Sequence, residues 1–323
     1  MKKKIVWLCD IQKRNISTVE YSSAIIWWYG ILEKFGYDVV YEEYAHYEPD
    51  EFYGMIKQHN PDFVFHPTYT NIHTELTRIR EFTKLYIVQS DDRWRYDNYS
   101  KYWIPWIDGV ITFEGDSNKY VSDGLNPNKF CKMNWSFNPN TMCLNEVLEK
   151  NKIISHVGSL STYRQEMINK FNNQGCDIKP LHGIGYETVK NEWARSKYSL
   201  NFTMNSTNQI REPKGRIVEV PNYCVLVSEP FDTINEYLKD DEYIQFTSIS
   251  EAIEKINYYN DNPNEYIKLF NRGRFGLWTR NTAYHEWNKI LPLIDPDYVA
   301  IDPIAIIKEY HLDQYLKISN LNT

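Results

Sequence analysis

Residues 211–230 read Arg-Glu-Pro-Lys-Gly-Arg-Ile-Val-Glu-Val-Pro-Asn-Tyr-Cys-Val-Leu-Val-Ser-Glu-Pro. Pro213 favours the first turn of a helix, so a short helix is predicted to begin there. The apolar run Cys224–Ser228 has the length and the β-branched content of a buried strand. A helix that leads into a buried strand is one step of an α/β alternation, and this alternation extends in both directions from the stretch.

Both halves of the chain alternate short apolar runs with longer amphipathic segments. In the first half, runs rich in β-branched and aromatic residues predict strands at Ile5–Cys9, Val39–Tyr44, Phe63–His66, Leu85–Gln89, Val110–Phe113 and Phe130–Trp135. In the second half, the predicted strands are Ile153–Val157, Cys176–Leu181, Tyr198–Phe202, Cys224–Ser228 and Tyr243–Phe246. Strands separated by helical segments favour parallel sheets with helices on both faces.

A domain boundary is predicted at Ser136–Lys150, where the turn cluster Asn138-Pro139-Asn140 interrupts the alternation. The length of 323 residues also exceeds what one hydrophobic core usually organises. We therefore expect two Rossmann-like, doubly wound α/β domains, residues 1–140 and 150–295. Ligands bind outside the carboxyl ends of the strands in such sheets, so the two domains are expected to face a cleft.

Composition argues against several classes of function. The net charge is −7, with 36 basic and 43 acidic residues, and the basic excess of a duplex-binding protein is missing. Five scattered cysteines without a Cys-x-x-Cys pair predict reduced thiols. The first apolar run is too short for a signal peptide, and no run reaches the ~20 apolar residues of a transmembrane helix. A cytoplasmic location is expected, or a host cytoplasm if the chain is viral.

The basic residues near Pro213 suit an anionic ligand. Arg211, Lys214 and Arg216 stand within six positions, around a glycine that lets a ligand approach. Free N–H groups at a helix start favour phosphate, and cations beside them would hold a diphosphate without a metal. Glu219, one turn after Arg216, would accept hydrogen bonds from ribose hydroxyls. The alternative is an ordinary i,i+3 ion pair between Arg216 and Glu219 on a surface helix.

Several motifs between Ile153 and Leu291 share the spacing of a known family. They are Val157-Gly158-Ser159, Tyr163-Arg164, His182-Gly183, Lys214-Gly215-Arg216 with Glu219 and Glu229, Asp241-Glu242-Tyr243-Ile244, and Thr282–Trp287. On these motifs the chain resembles the CgeB-like glycosyltransferases, which are related to the group 1, or family 4-like, enzymes of GT-B fold. One position departs from the pattern, since Asn281 stands where the family has histidine.

The resemblance implies an activity and a set of donor-binding residues. The second domain would bind a UDP- or GDP-sugar and the first domain the acceptor, with a helix over residues 303–318 packing back on the first domain. The hexosyl transfer would retain the anomeric configuration without a metal or other cofactor, and Lys214 and Arg216 would stabilise the leaving diphosphate. The implied donor-binding residues are Gly158, Arg164, His182, Gly183, Arg211, Lys214, Gly215, Arg216, Glu219 and Glu229.

Polar residues at strand ends of the first domain are the predicted acceptor side. These are Asp10, His66, Asp91, Asp92 and Arg93. If the reaction inverts, Asp92 or His66 would be the general base. For His66, a solvated loop position or a helix cap is the favoured alternative. A glycan, a small molecule, a protein and a modified nucleobase all stay open as acceptors.

Other functions also stay open from the sequence. An epimerase or a phosphorylase would use the same frame, and a non-catalytic nucleotide- or sugar-binding protein would need Glu219 but not the basic residues. A phage-type enzyme that glycosylates DNA bases is a further alternative, which the acidic net charge disfavours. Asp295-x-Asp297 has the spacing of a metal-binding motif, but Pro296 predicts a turn, so no metal site is expected.

Overall fold

A computed structural model describes residues 2–9, 28, 30–43, 48–67, 75–89, 95–113, 115–141, 150–204, 211 and 213–319. The chain divides into two compact units. The first unit comprises Met1–Asn134 with Ala283–Ile306, and the second comprises Trp135–Thr282 with Ile307–Thr323. Each unit is built on a parallel sheet, so the predicted two-domain α/β class is confirmed.

Ten strands and thirteen α-helices are found in the described residues. The strands are β1 (Lys4–Cys9), β2 (Asp38–Glu43), β3 (Phe63–Pro67), β4 (Lys84–Gln89), β5 (Gly109–Thr112), β6 (Phe130–Lys132), β7 (Lys152–Ser155), β8 (Ser196–Asn201), β9 (Val225–Ser228) and β10 (Ile244–Gln245). The helices are α1 (Ile31–Lys34), α2 (Pro49–His59), α3 (Glu75–Ile79), α4 (Lys101–Trp103), α5 (Ser117–Ser122), α6 (Thr162–Asn173), α7 (Tyr186–Arg195), α8 (Arg216–Glu219), α9 (Ile249–Asp261), α10 (Pro263–Arg280), α11 (Ala283–Ile294), α12 (Pro303–Tyr310) and α13 (Leu312–Ser319). A π-helical turn covers Tyr96–Ser100, and 3₁₀ turns cover Ile104–Trp106, Pro127–Lys129, Val220–Asn222 and Ile234–Glu236.

The sheet of the first unit has the order β2-β1-β3-β4-β5-β6, and all neighbouring strands are parallel. The order reverses at β1, because β2 lies on one side of β1 and β3 on the other. Both faces of the sheet are covered, so the residues of β1 from Ile5 to Leu8 are all buried. This explains why the strand is a continuous apolar run in the sequence rather than an alternating one.

The two faces of this sheet carry different cores. Aliphatic residues such as Val6 and Val64 pack with Phe52 and Ile56 of α2 on one face. On the other face the core is aromatic: the ring centroid of Trp287, in α11, lies 5.6 Å from that of Trp7 and 5.7 Å from that of Phe65. Helix α11, from late in the chain, therefore completes the core of the first unit.

This division differs from the domain boundaries expected from the sequence. The second domain was expected to run to residue 295, and a helix over residues 303–318 to return to the first. Instead, α11 joins the first unit because its large apolar side chains cover the aromatic face of the sheet. The chain from Ile307 onward groups with the second unit, where α13 packs on α10.

The Asp295-x-Asp297 segment forms the predicted turn after α11 and pairs with a lysine. Asp295 accepts hydrogen bonds from Lys3 Nζ and, at 2.7 Å, from the hydroxyl of Tyr37, and Asp297 lies 2.7 Å from Lys3 Nζ. Burial alone would raise the pKa of Asp295, but these donors hold it below its usual value. The turn thus ties the end of α11 to the start of β1.

The sheet of the second unit has the order β10-β9-β8-β7, again with parallel neighbours. Its core contains Ile154 and Leu200 from the strands, with Phe171 of α6 and Leu269 of α10. The predicted strand at Cys176–Leu181 is wrong, because only Leu181 pairs, in an isolated bridge to Val157. Pro180 has no N–H group to donate, and Asp177 and Lys179 are exposed, so the segment cannot extend the ladder.

Candidate functional site

The predicted donor-binding residues lie in the second unit, mainly where its strands end. Gly158 comes shortly after β7, Thr203 after β8 and Glu229 directly after β9. Because the carboxyl ends of parallel strands meet at one edge of a sheet, the loops that follow them converge. Side chains from α6, α7 and α8 reach the same loops, as the contacts below show.

Arg216 is a buried cation that joins two of these loops. It is only 9% exposed, its Nη1 donates to the carbonyl oxygen of Val157, and its Nε donates to Oδ1 of Asn201 at 3.4 Å. The pKa of Arg216 is lowered to about 9, first by burial and then by the charge of Arg164, while Glu219 offsets part of the effect. The guanidinium is therefore still protonated at pH 7.

The helix that carries Arg216 begins later in the chain than predicted. It begins at Arg216 rather than at Pro213 and spans one turn before the 3₁₀ turn Val220–Asn222. Pro213 lies before this helix because the chain closes its first backbone bonds only at Lys214 and Gly215, whose carbonyls accept from Ile217 and Glu219. A single turn has a weak dipole, so the positive charge here comes from side chains rather than from the helix.

Gly158 leaves the space that the Arg216 guanidinium occupies. Its φ is 137°, in the left-handed half of backbone space, and a Cβ built on it would overlap Nη1 of Arg216. Its N–H donates to Leu181 O at 2.9 Å, which fixes the loop after β7 against the isolated bridge. Glycine is needed at this position both for the conformation and for the close approach.

Arg164, in the first turn of α6, clamps two loops together. Its Nη1 donates to Ser159 O at 2.9 Å and to Ser159 Oγ at 2.8 Å, while Nη2 donates to Met204 O at 3.0 Å. The helix begins after Ser161, whose Oγ accepts from the Arg164 N–H. Arg164 is 4% exposed, and its positive charge lowers the pKa of Arg216.

Glu219, at the end of α8, is also buried, with 7% of its surface exposed. Its Oε1 accepts a hydrogen bond from the hydroxyl of Tyr186 at 3.1 Å. Arg216 points instead to Val157 and Asn201. The surface i,i+3 ion pair considered from the sequence is therefore not the arrangement that the structure shows.

Glu229 is a hub for the loops after β8 and β9. Its Oε1 accepts from the hydroxyl of Tyr163, and its Oε2 accepts from the N–H of Thr203 at 3.0 Å and lies 3.2 Å from Nη1 of Arg211. Arg211 also donates to Thr203 Oγ1 at 3.1 Å. Contacts thus run without a break from Glu229 through Arg211 to the Met204 bridge that Arg164 holds.

Four other residues were predicted to bind the donor. Lys214 and Gly215 are partly exposed and directly precede α8. His182 and Gly183 are exposed in the loop before α7, where Gly183 has a φ of 65°. Their roles in donor binding stay predictions.

On the acceptor side, Asp10, Asp91, Asp92 and Arg93 lie outside the described residues. His66 lies on β3, fully buried, with its ring centroid 4.9 Å from that of Trp103. It is neither a solvated loop residue nor a helix cap, because it belongs to a strand whose two faces are covered. Its role as a base or acceptor ligand stays a prediction.

Three residues of the cluster were not predicted as site residues. Tyr163 and Tyr186 each give one hydroxyl to a buried carboxylate. Tyr163 belongs to a motif of the family resemblance but was given no role, and Tyr186 belongs to none of the motifs. His156, directly after β7, has its Nδ1 3.2 Å from Leu200 O. Burial lowers the pKa of His156 to about 3, helped by Arg216 and Arg164, so its ring is neutral. His156 lies inside the strand predicted at Ile153–Val157, so the sequence did not mark it as a residue at a strand end.

The described part of the chain contains neither a metal-binding cluster nor a membrane-spanning helix. No group of three or more His, Cys, Asp or Glu residues there is arranged to hold a metal ion. No helix there has both the length and the apolar character needed to cross a membrane.

Comparison with solved structures identifies the fold. An α-glucosyltransferase, in complex with UDP-glucose and DNA containing an abasic site, matches with a TM-score of 0.69 at 8% identity, over 91% of this chain and 99% of that chain. T4 phage BGT, in complex with its UDP-glucose substrate, gives 0.58 at 12% identity, over 91% and 100%. Sucrose-phosphate synthase from Thermosynechococcus elongatus gives 0.57 at 8% identity, over 98% and 100%. The fold of this chain is GT-B.

A family comparison locates the shared sequence. Residues 150–292 match the model of a family described as glycosyl transferase-like. The chain is a glycosyltransferase. The matched segment of this glycosyltransferase contains the whole cluster from Gly158 to Glu229 and continues into α11 of the first unit. A search of curated proteins finds no match.

Proposed function

We propose that this glycosyltransferase takes a hexose from a nucleoside diphosphate sugar whose diphosphate binds at Arg164, Arg216 and Lys214. Glu219 binds the ribose in this proposal. UDP-glucose is the first donor to test, since two of the similar structures were solved with it. The sugar is transferred to an acceptor that is not identified. We propose that this acceptor binds to the first unit, which contains the predicted acceptor-side residue Asp10.

The observation that carries this proposal is the buried positive charge around Arg216. In the described part of the chain no carboxylate forms an ion pair with Arg216, and the second guanidinium of Arg164 is close enough to lower its pKa. A buried charge that lacks an ion-pair partner is costly, with penalties of several kcal/mol. A diphosphate would supply the missing negative charge through charge-assisted hydrogen bonds to both guanidinium groups.

We further propose a retaining reaction that uses no metal. The bond between the anomeric carbon and the donor phosphate oxygen breaks, and the anomeric carbon bonds to the acceptor oxygen. The acceptor proton passes to the leaving phosphate oxygen, so the products are a glycosylated acceptor and a nucleoside diphosphate. Arg216 and Lys214 stabilise the charge that develops on the diphosphate. In an inverting reaction, Asp92 would instead be the base.

The variant Arg216→Met tests the donor site. We expect UDP to raise the unfolding temperature of the wild type, because a ligand that binds only the folded state stabilises it by mass action. This rise should be lost in Arg216→Met. The unfolding temperature without ligand should not fall, because methionine removes a buried charge and keeps much of the apolar stem. Differential scanning calorimetry with UDP, GDP and ADP measures both quantities.

Arg274→Met is the matched control for this measurement. Arg274 is a guanidinium of α10 that is 7% exposed, lies 4.9 Å from the ring of Phe270, and takes no part in the cluster. Burial lowers its pKa to about 10, so it is a comparable buried cation. The control should respond to UDP like the wild type. A nucleotide response that is unchanged in Arg216→Met, or lost equally in Arg274→Met, would contradict the proposed site.

The finer family placement and the location are also proposals. The spacing of Lys214-Gly215-Arg216 and Glu219, inside the matched segment, supports a CgeB-like enzyme related to family 4. We propose the cytoplasm as its location. Incubation of UDP-glucose with candidate acceptors, followed by NMR of the anomeric proton, would identify the product and its configuration.

A further inference from the structure

We propose that Tyr186 positions the Glu219 carboxylate and thereby sets the preference of the donor site for a ribose with both hydroxyls. This inference rests on the proposed function, which assigns Glu219 to the ribose. It adds a residue from a different helix, and it makes a distinct prediction about which nucleotides are discriminated.

The contact itself joins two short elements. Tyr186 is the first residue of α7 and Glu219 the last of α8, and the phenol donates to Oε1 at 3.1 Å. Burial and the nearby carboxylate raise the pKa of Tyr186 well above its usual value. The hydroxyl therefore stays protonated near neutral pH and can only act as a donor towards this carboxylate.

The ring of Tyr186 is held in place from one side. Lys190, one turn later on α7, has its Nζ 5.3 Å from the ring centroid. The same Nζ donates to Thr141 O at 3.3 Å and pairs with Glu187. A ring fixed in this way presents its hydroxyl in one direction, so the carboxylate is oriented before the nucleotide arrives.

A neutral donor suits a carboxylate that must bind a diol. An ionised carboxylate has about four acceptor positions, and the phenol of Tyr186 occupies one of them. The phenol orients the group without neutralising it, whereas the guanidinium of Arg216 points to Val157 and Asn201. In this proposal the Glu219 carboxylate, oriented by the phenol, accepts from the two adjacent ribose hydroxyls through charge-assisted hydrogen bonds, which are about twice as strong as hydrogen bonds between neutral groups.

The test compares UDP with 2′,3′-dideoxy-UDP by isothermal titration calorimetry. We expect the wild type to prefer UDP by about tenfold or more, the usual scale for hydrogen bonds to a charged group. Tyr186→Phe should lose most of this preference by binding UDP about tenfold more weakly. Its affinity for 2′,3′-dideoxy-UDP should stay near that of the wild type, which also shows that the variant site is folded.

Tyr198→Phe is the matched control. It removes another buried phenol of the second unit, one that donates to Ile256 O and to Asn260 and is not part of the cluster. It should keep the wild-type preference. Equal weakening of both nucleotides in Tyr186→Phe, or no change in either, would overturn the inference and leave the proposed donor site standing. A wild type that binds no nucleoside diphosphate would overturn both.

Discussion

At the scale of single residues, the missing side chain of one glycine decides where the buried cation of the proposed donor site lies. Gly158 has a left-handed φ of 137°, and the Arg216 guanidinium occupies the position of its missing Cβ. Any side chain here would have to displace Arg216 from Val157 O and Asn201. In the proposed donor site the glycine therefore acts through the space that it leaves for Arg216, although it has no functional group of its own.

We expect Gly158→Ala to abolish the nucleotide response. Gly175→Ala is the matched control, because Gly175 also has a positive φ, 92°, but its Cβ would meet nothing within 4 Å. Both variants should lose about 1–2 kcal/mol from backbone strain. Only Gly158→Ala should also lose the UDP-dependent rise in unfolding temperature, measured by scanning calorimetry. A normal UDP response in Gly158→Ala would show that Arg216 does not bind the diphosphate from this position.

At the scale of elements, α10 is notable for two glycines in a helix interior, where glycine is normally unfavourable. A Cβ on Gly273 would lie 2.5 Å from the backbone oxygen of Glu242. A Cβ on Gly276 would lie 2.5 Å from Glu242 Oε1 and 2.6 Å from Nη2 of Arg280. The glycines thus allow α10 to pack directly against the segment before β10, where Glu242 pairs with Arg280.

When a helix glycine is replaced by alanine, the change in the free energy of unfolding should depend on the atoms that the new Cβ contacts. Gly273→Ala should destabilise most, because it meets rigid backbone, and Gly276→Ala less, because side-chain ends can move. Gly54→Ala, in α2, meets nothing within 4 Å and should stabilise by up to about 1 kcal/mol through helix propensity. Urea denaturation of the three variants measures the order. A Gly273→Ala variant as stable as the wild type would contradict the packing argument.

Sequence patterns predicted these elements better than the contacts between them. For helix α6 (Thr162–Asn173) the sequence shows both ends, because Ser161 caps its start and Gly175 follows its last residues. The cluster of basic residues near Arg216 was also visible. The hydrogen-bond partners within the cluster could not be predicted. Tyr186 and Glu219 are 33 positions apart, and hydrophobic periodicity indicates which face of an element is buried but not which side chain packs against it. The one-turn length of α8 likewise depends on tertiary contacts.

At the scale of the whole molecule, the first unit is assembled from two distant parts of the chain. Trp287 of α11 is fully buried against Trp7 and Phe65. The domain expected at residues 150–295 included this segment, because an apolar helix face does not indicate which sheet it will cover. The Lys3 contacts to Asp295 and Asp297 strengthen the same connection.

Trp287→Ala should destabilise the first unit by about 3–5 kcal/mol, the usual cost of removing a large buried side chain. Trp278→Ala is the counterpart in the second unit, where Trp278 is buried and donates to Asn222 Oδ1 at 2.8 Å. Limited proteolysis with mass spectrometry should show new cleavage within residues 2–134 for the first variant and within residues 135–282 for the second. The same cleavage pattern in both variants would contradict the assignment of α11.

The late position of α11 also bears on how the protein matures during translation. The strands of the first unit leave the ribosome early, but the face formed by Trp7 and Phe65 lacks part of its cover until Trp287 emerges. The core of the second unit, from Ile154 to Leu269, is complete before that point. We therefore expect the core of the second unit to form before the aromatic core of the first unit is complete, so that chaperones have their longest access to an aromatic surface made at the very start of synthesis.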